Sequence, residues 1–358
     1  KSIIVILKGV KQMKMPQLTL FKKRTESAQS VSKPKEDRSA FFAIVRKEFT
    51  DYLRSWRIII LLFIIALTTL GSLYTAIMTI QDVISKTDDA AREIVKDSYL
   101  FLRLFTVSDG TLPPFITFVT LLGPLLGIAL GFDAINSERN NGTLTRLVSQ
   151  PIPRDYVINA KFVAALLINA MLFTTLVFIV MAFGILIIGI PPTFEEFLRI
   201  MCYLGLCIVY IAFWLSLGIL FSVHFKQAAT SALSGIAVWL FFSIFYPMII
   251  DLISSSYLDP DAIQSTAQFL SRQELIQNLT RLSPNYLFSE STTILLSPEV
   301  RSLGLLTMEQ RIGAIAGPLP IGQSLLLIWP QLTGLIAATI ICFAISYVSF
   351  MRQEIRTN

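Results

Sequence analysis

The chain has 358 residues, of which 54% are hydrophobic and only 15% charged, and its net charge is +6 at pH 7. This composition, with repeated apolar runs of about 18 residues or more, excludes an ordinary soluble domain and predicts a protein that crosses a membrane several times. The three cysteines, Cys202, Cys207 and Cys342, fall inside apolar runs, so a disulfide framework is not expected.

The first 57 residues divide into two parts. Residues 1–38 contain the polar, basic run KKRTESAQSVSKPKEDRS, which has nothing to bury and predicts a partly disordered linker. In residues 39–57 apolar side chains recur at spacings of three and four, and the segment ends in Trp and Arg. This pattern predicts an amphipathic helix in the headgroup layer, just before the first span. Its charged or interfacial residues include Arg46, Lys47, Arg54 and Trp56.

Six apolar segments are long enough to cross a bilayer as helices. They lie near residues 58–80, 112–133, 160–190, 199–222, 228–252 and 325–350. Helices are predicted throughout because backbone groups that face lipid must be hydrogen-bonded within their own segment. The chain is therefore predicted to be an all-α polytopic membrane protein.

The loops between the spans define the remaining parts of the chain. Residues 58–252 hold the first five spans, and a polar loop at 134–159 lies between spans two and three. Residues 253–324 form a large insertion between spans five and six, and residues 351–358 form a tail.

The positions of Lys and Arg predict the orientation in the membrane. If both termini lie on one side, 21 of the 30 basic residues lie there too. The positive-inside rule then places both termini in the cytoplasm and the 253–324 insertion outside the cell membrane. Because this topology explains the net positive charge, nucleic-acid binding is not expected.

Small residues follow a four-residue spacing in span two. Gly123, Gly127 and Gly131 fall on one helix face, where small side chains permit close contact with a second helix. We interpret this face as a packing surface within the chain; a channel lining or a dimer seam is the alternative.

The polar loop between spans two and three has a helical pattern of its own. Gly142 is placed to cap the end of a helix, and Thr143 to begin the next one. Leu147 lies on the apolar edge of this short helix and Arg146 on the opposite side, and Pro151 ends it. Such a helix has little to bury in its own chain, so we expect it to fit a groove on another protein.

Several kinds of chemistry lack their motifs. No G-x-x-x-x-G-K-[ST] occurs, so the chain cannot build a P-loop for ATP. The single histidine, His224, argues against a paired-histidine zinc site and a Ser-His-Asp triad. No ionisable residue lies near the middle of a span, where ion-coupled carriers keep theirs. Neither catalytic residues nor a cofactor or metal site is expected in this chain.

The stretch GFDAINSERNNGTLTRLVSQPIPRDYVINAKF resembles the hallmark loop of ABC-2-type transporter permeases. The matching positions are Glu138, Arg139, Gly142, Thr143, Leu147, Pro151, Arg154 and Lys161. VRKEFTDYLRSWR is similar to the elbow helix that precedes span one in this family, and LSPNYLFSE resembles a recurrent external segment. The resemblance covers residues 40–352.

The resemblance implies a type-2 ABC exporter fold that pairs with a second permease copy or a paralogue. Two copies of a separate ABC ATP-binding subunit would bind ATP and Mg, so this chain would not be an enzyme by itself. The loop would be the coupling helix that contacts those subunits, and a shorter contact would come from the turn at 223–227. The residues implied in that interface are Glu138, Arg139, Gly142, Thr143, Arg146, Leu147, Pro151, Arg154, His224 and Lys226.

Other functions stay open at this point. A stand-alone carrier or channel would need a polar group deep in the membrane, and an intramembrane enzyme would need catalytic residues there. A sensor or regulatory subunit with the same fold would leave the same sequence pattern as an exporter. Related permeases are linked with copper-enzyme maturation and with sodium or antibiotic efflux, and the charge-free spans here favour a lipid-like or amphipathic cargo.

Overall fold

A computed structural model of the chain describes residues 34–86, 99–143, 153–189, 191–257, 266–299 and 318–352. By their internal contacts the residues form two units, 1–42 and 43–358. Most of the predicted linker, the middle of the loop between spans two and three, much of the 253–324 insertion and most of the tail lie outside the described ranges.

Every regular element within those ranges is helical. In chain order they are α1 Pro34–Arg54, α2 Trp56–Lys86, α3 Leu100–Thr106, α4 Phe115–Gly131, α5 Asn136–Asn140, α6 Arg154–Ile188, α7 Phe194–His224, α8 Ala228–Leu240, a π-helical segment Phe241–Phe245, α9 Tyr246–Tyr257, α10 Thr266–Thr280, α11 Pro284–Leu296 and α12 Ile321–Arg352.

Six of these stretches are long and apolar enough to cross a membrane. They are Trp56–Asp82, Phe115–Asn140, Arg154–Ile187, Phe194–His224, Ala228–Tyr257 and Ile321–Arg352. The prediction of an all-α membrane protein with six spans is confirmed. Most of the spans extend beyond the predicted limits, because polar residues continue each helix past its apolar centre.

The helix before span one has different limits from those predicted. α1 begins at Pro34 and ends at Arg54, and Trp56 starts α2. Ser55 separates the two helices, and its carbonyl accepts a hydrogen bond from the amide of Ile59 at 3.0 Å. Trp56 therefore belongs to the first span, where it is 72% exposed.

Span two is interrupted near its end. α4 stops at Gly131, residues 132–135 form a turn, and α5 follows. The sequence predicts a helix that runs on from span two to a cap at Asn141 and Gly142, without a break at residues 132–135. The hydroxyl of Ser222 on α7 accepts hydrogen bonds from the amides of Ile135 and Asn136, at 2.9 and 3.2 Å, and so stabilises the turn.

Helix α7 forms the centre of the bundle. Its most apolar window is 72% buried, against 6% for span five, and α7 packs chiefly against α4 and α12. The aromatic side chains of Tyr203, Tyr210 and Trp214 are fully buried along its length. A capping box starts α7: Thr193 accepts a hydrogen bond from the amide of Glu196, and Glu196 accepts one from the amide of Thr193.

Successive spans run in alternating directions, so their ends gather at two faces. The first face holds the start of α2, α5, the start of α6 and the end of α7. The second face holds the end of α6, the start of α7, α11 and the start of α12. Ion pairs and hydrogen bonds between chain-distant residues join the elements at each face.

Candidate functional site

Four charged side chains from three helices meet at the first face. The ammonium of Lys161 on α6 donates to Glu48 Oε2 on α1 at 2.7 Å and to Glu138 Oε1 on α5 at 3.4 Å. Lys47 Nζ lies 3.1 Å from Glu48 Oε1 and 3.7 Å from Glu138 Oε1. We call Lys47, Glu48, Glu138 and Lys161 the charged cluster.

The charged cluster is balanced and mostly buried. Two cations face two anions, and Lys161, Glu48 and Glu138 are 4%, 6% and 9% exposed. Burying each ion costs several kcal/mol, which close pairing and additional hydrogen bonds must offset. One such bond comes from the hydroxyl of Thr143, which donates to the carboxylate of Glu138.

Lys47 lies at the open side of the charged cluster and stays about half exposed. Its partial burial alone would lower the pKa of the ammonium. The carboxylate of Glu48, with those of Glu138 and Asp51, outweighs this effect and raises the pKa above its ordinary value. Lys47 is therefore fully charged at neutral pH.

Glu138, which the sequence interpretation assigns to an interface with another protein, lies within the charged cluster. Its carboxylate faces α1 and α6. Arg139, the next residue, is half-buried. The amides of Ile135 and Asn136 hold α5 to α7, so α5 is tied to three other helices, α1, α6 and α7. Glu138 thus ties the start of the loop between spans two and three to α1 and α6.

The other loop residues of the sequence interpretation are placed as follows. Gly142 has a φ of +66°, a left-handed conformation that favours glycine, and a Cβ there would meet open space. Arg154 is exposed at the start of α6, and His224 and Lys226 are exposed at the end of α7 and just after it. Arg146, Leu147 and Pro151 lie outside the described residues.

The predicted elbow residues divide into two groups. Arg46, Arg54 and Trp56 are exposed, as an interfacial position requires, whereas Lys47 joins the charged cluster. The sequence interpretation missed Glu48. Its position could have indicated this role. Glu48 comes three residues after Val45 and four before Tyr52, so it is a lone acid on the apolar face of α1.

The three glycines of span two face α7. A Cβ on Gly127 would lie 2.8 Å from the carbonyl oxygen of Ile211, and one on Gly131 would lie 2.7 Å from that of Leu215. A Cβ on Gly123 would meet the Ile211 side chain at 3.2 Å. The backbones of α4 and α7 therefore approach as closely as small residues allow. This close contact holds α4, which leads into α5, against the central helix.

A second buried ionic site lies at the second face. Arg199 is fully buried and donates to the carbonyl of Leu295 at 3.0 Å, to the hydroxyl of Ser324 at 3.2 Å and to the carbonyl of Leu319. Its Nη2 also donates to Glu195 Oε1 at 2.9 Å. Through these bonds Arg199 joins α7, the end of α11 and the start of α12. The sequence marked Arg199 as a span end but gave no partner for it.

These two sites are suited to holding helices together. In the described part of the chain, no group of three or more His, Cys, Asp or Glu side chains could hold a metal ion. The buried ions carry hydrogen bonds between helices at both faces, and the glycine contact joins α4 to α7. A displacement of α5 would therefore reach α1, α6 and α7 directly.

The model of the family described as ABC-2 family transporter protein matches residues 42–355 of the chain. The match includes the charged cluster, the glycine contact and all six membrane-spanning helices. None of the curated proteins compared with the chain matches it.

Proposed function

The chain belongs to the ABC-2 family of transporter proteins, and from that premise we propose that it forms, in a pair, the translocation path of an exporter driven by separate ATP-binding subunits. The chain is a multi-pass membrane protein and a permease subunit of an ABC transporter. The absence of a P-loop motif from its sequence supports a partner that supplies ATP hydrolysis with its bound ATP and Mg.

The first face is the cytoplasmic face in this proposal. On that assignment 21 of the 30 Lys and Arg residues follow the positive-inside rule. The second face, with Arg199 and helices α10 and α11, then lies outside the cell membrane. The partner in the pair is a second copy of this chain or a related permease.

The charged cluster is the observation that carries the coupling proposal. Residues 144–152 continue directly from the short stretch that Glu138 and Thr143 attach to α1 and α6. An ATP-binding subunit that moves this segment would move α5, and the buried ions would pass the movement to α1 and to span three. Arg154, His224 and Lys226 are exposed at the same face and are suited to contact the subunit directly.

Glu138 acts through the charged cluster in this proposal. Its carboxylate fixes the start of the coupling segment, and the segment itself supplies the docking surface. Because Lys161 and Lys47 both lie within 3.7 Å of Glu138 Oε1, loss of the carboxylate would release the segment from two helices.

Substitutions at Gly142 test the proposal. We expect Gly142→Pro to reduce ATP hydrolysis by the purified complex to the rate of the ATP-binding subunit alone, because proline cannot adopt a positive φ. Glu138→Ala should have the same effect. Gly142→Asn is the matched control and should keep most of the activity, since asparagine tolerates the left-handed region.

Gly189→Asn extends the control to the other face. Gly189 has a φ of +76° at the end of α6, far from the coupling segment in the chain. This variant should leave hydrolysis unchanged. If Gly142→Pro and Glu138→Ala both insert into the membrane and keep the full ATPase rate of the complex, the coupling assignment is wrong.

A further inference from the structure

A cavity of about 380 Å³ opens beside the charged cluster, between α1, the start of α2 and the end of span two. Its floor is formed by the buried Glu48, Glu138 and Lys161. Its rim carries four further charges, on Lys47, Asp51, Arg57 and Asp133. The rim therefore offers two cationic and two anionic groups around one space.

The ion pairs between rim residues are more exposed to solvent than the ion pair of Glu48 and Lys161 beneath them. Arg57 Nη2 lies 2.8 Å from Asp133 Oδ2, with side chains 67% and 23% exposed. Lys47 Nζ lies 3.6 Å from Asp51 Oδ2, and both side chains are more than half exposed, while Lys47 also keeps its contacts with the buried Glu48 at 3.1 Å and Glu138 at 3.7 Å. Ion pairs in such positions contribute little to stability, so a ligand with both charges can replace them at small cost. The floor pair remains intact because it is buried.

The cavity lies where a membrane headgroup would be found. Arg57 follows Trp56 at the start of span one, and Asp133 lies in the turn that ends the apolar part of span two. Exposed Trp and Arg at a span end are typical of the interfacial layer. The phenol of Tyr52, which also lines the cavity, donates to the carbonyl of Leu130 at 3.1 Å and closes its inner wall.

The same end of span one carries exposed apolar side chains. Ile59, Ile60 and Phe63 on α2 are 38%, 45% and 66% exposed, within two helical turns of Arg57. Acyl chains lying along this surface would keep an attached headgroup at the rim. A free headgroup molecule would gain none of this apolar contact.

We propose that this cavity binds the headgroup of a phospholipid that carries both a phosphate and a primary ammonium, such as phosphatidylethanolamine. Arg57 and Lys47 bind the phosphate, and Asp133 and Asp51 accept hydrogen bonds from the ammonium. A choline headgroup has the same charges but no N–H to donate, and a glycerol headgroup has no cation for the aspartates. The site goes beyond the transport function and does not depend on it.

Lipid retention by the purified full chain tests the proposal. The chain would be reconstituted in vesicles of dioleoyl phosphatidylcholine that contain equal small amounts of phosphatidylethanolamine and phosphatidylglycerol, then extracted mildly and examined by native mass spectrometry. Relative to its share of the vesicle lipid, we expect phosphatidylethanolamine to be retained about tenfold more than phosphatidylcholine or phosphatidylglycerol. A tenfold ratio is the effect of one charge-assisted hydrogen bond. Because no ATP-binding subunit is needed, failure here leaves the transport proposal untouched.

Two variants separate the charges of the headgroup. Asp133→Asn should abolish the preference for phosphatidylethanolamine over phosphatidylcholine, and Arg57→Gln should reduce retention of both. Arg352→Gln, an exposed arginine at the first face but outside the cavity, is the matched control and should change neither. Thermal unfolding shows whether each variant is folded. We expect all of them to fold, because the Arg57–Asp133 ion pair is largely exposed and contributes little to stability.

Four results would overturn the assignment. The first is equal retention of the three lipids by the wild-type chain, and the second is a preference for phosphatidylethanolamine that Asp133→Asn keeps. The third is tight binding of soluble glycerophosphoethanolamine, at least as strong as that of the lipid, which would make the site one for a free headgroup. Preferential retention of phosphatidylglycerol would also contradict it, since this indicates only attraction of anionic lipid to surface cations.

Discussion

Replacing Lys161 with methionine tests whether the charged cluster holds α1, α5 and α6 together. Methionine keeps the length and apolar stem of the side chain and removes the ammonium. Glu48 then loses its 2.7 Å partner, and Glu138 loses one at 3.4 Å. Lys47 remains beside both carboxylates but is half exposed.

The magnitude follows from the burial of the three ions. At an effective dielectric constant of about 20, the attractions of Lys161 to the two carboxylates are ~6 and ~5 kcal/mol before desolvation is subtracted. Removing one partner of a buried pair costs about 3–5 kcal/mol net. Because Lys47 still neutralises part of the exposed side, we expect a loss of stability of about 3 kcal/mol.

Thermal unfolding of the full chain in detergent measures this loss. At roughly 2 °C per kcal/mol, Lys161→Met should lower the Tm by about 6 °C. Adding Glu48→Gln should recover part of the loss, because the double variant no longer leaves that carboxylate unpaired. Arg57→Ala, which breaks an exposed pair, is the control and should cost under ~1 kcal/mol. Equal effects of Lys161→Met and Arg57→Ala would refute the reasoning.

Two further substitutions test the packing of α7 in the same assay. Gly131→Ala should lower the free energy of unfolding by about 1–3 kcal/mol, because its Cβ would lie 2.7 Å from the carbonyl oxygen of Leu215. Gly205→Ala is the control and should be neutral or stabilising, because its Cβ would meet open space. A similar loss of stability at both positions would contradict the close contact. Arg199→Gln should cost about 3–5 kcal/mol, because Arg199 is fully buried and Leu295 and other acceptors lose their donor; a Tm within 1 °C or so of wild type would show that these bonds contribute little.

The sequence predicted the spans well because their signal is local. An apolar run of about 20 residues reports a membrane helix regardless of what surrounds it. The predicted ends of the helices were less accurate. At the end of α1, for example, Ser55 interrupts the helix although no glycine or proline is nearby. The turn between α4 and α5 depends on Ser222, a residue 86 or 87 positions further along the chain. Such an interaction has no local signal.

The charged cluster was partly readable from the sequence. Glu138 and Lys161 were both marked by the resemblance, but nothing in their spacing indicated that they bind each other. Glu48 is separated from Lys161 by 113 residues, so their pairing follows from the fold and not from any pattern. The acid on the apolar face of α1 was the one available indication. It predicts a buried partner without saying which.

Span five shows a limit of a different kind. Its apolar run predicted the helix correctly, but the π-helical segment Phe241–Phe245 within it has no recognised sequence signature. This span is also the least buried of the six. Few of its side chains therefore pack against the rest of the described chain.

Purification of the tagged chain from its native membrane in mild detergent, with identification of stoichiometric partners, tests the central claim most directly. The account predicts a soluble subunit that carries G-x-x-x-x-G-K-[ST], and predicts its loss when residues 144–152 are replaced by a flexible linker of equal length. Recovery of this chain alone, with full transport activity after reconstitution, would contradict the account and favour a self-sufficient carrier.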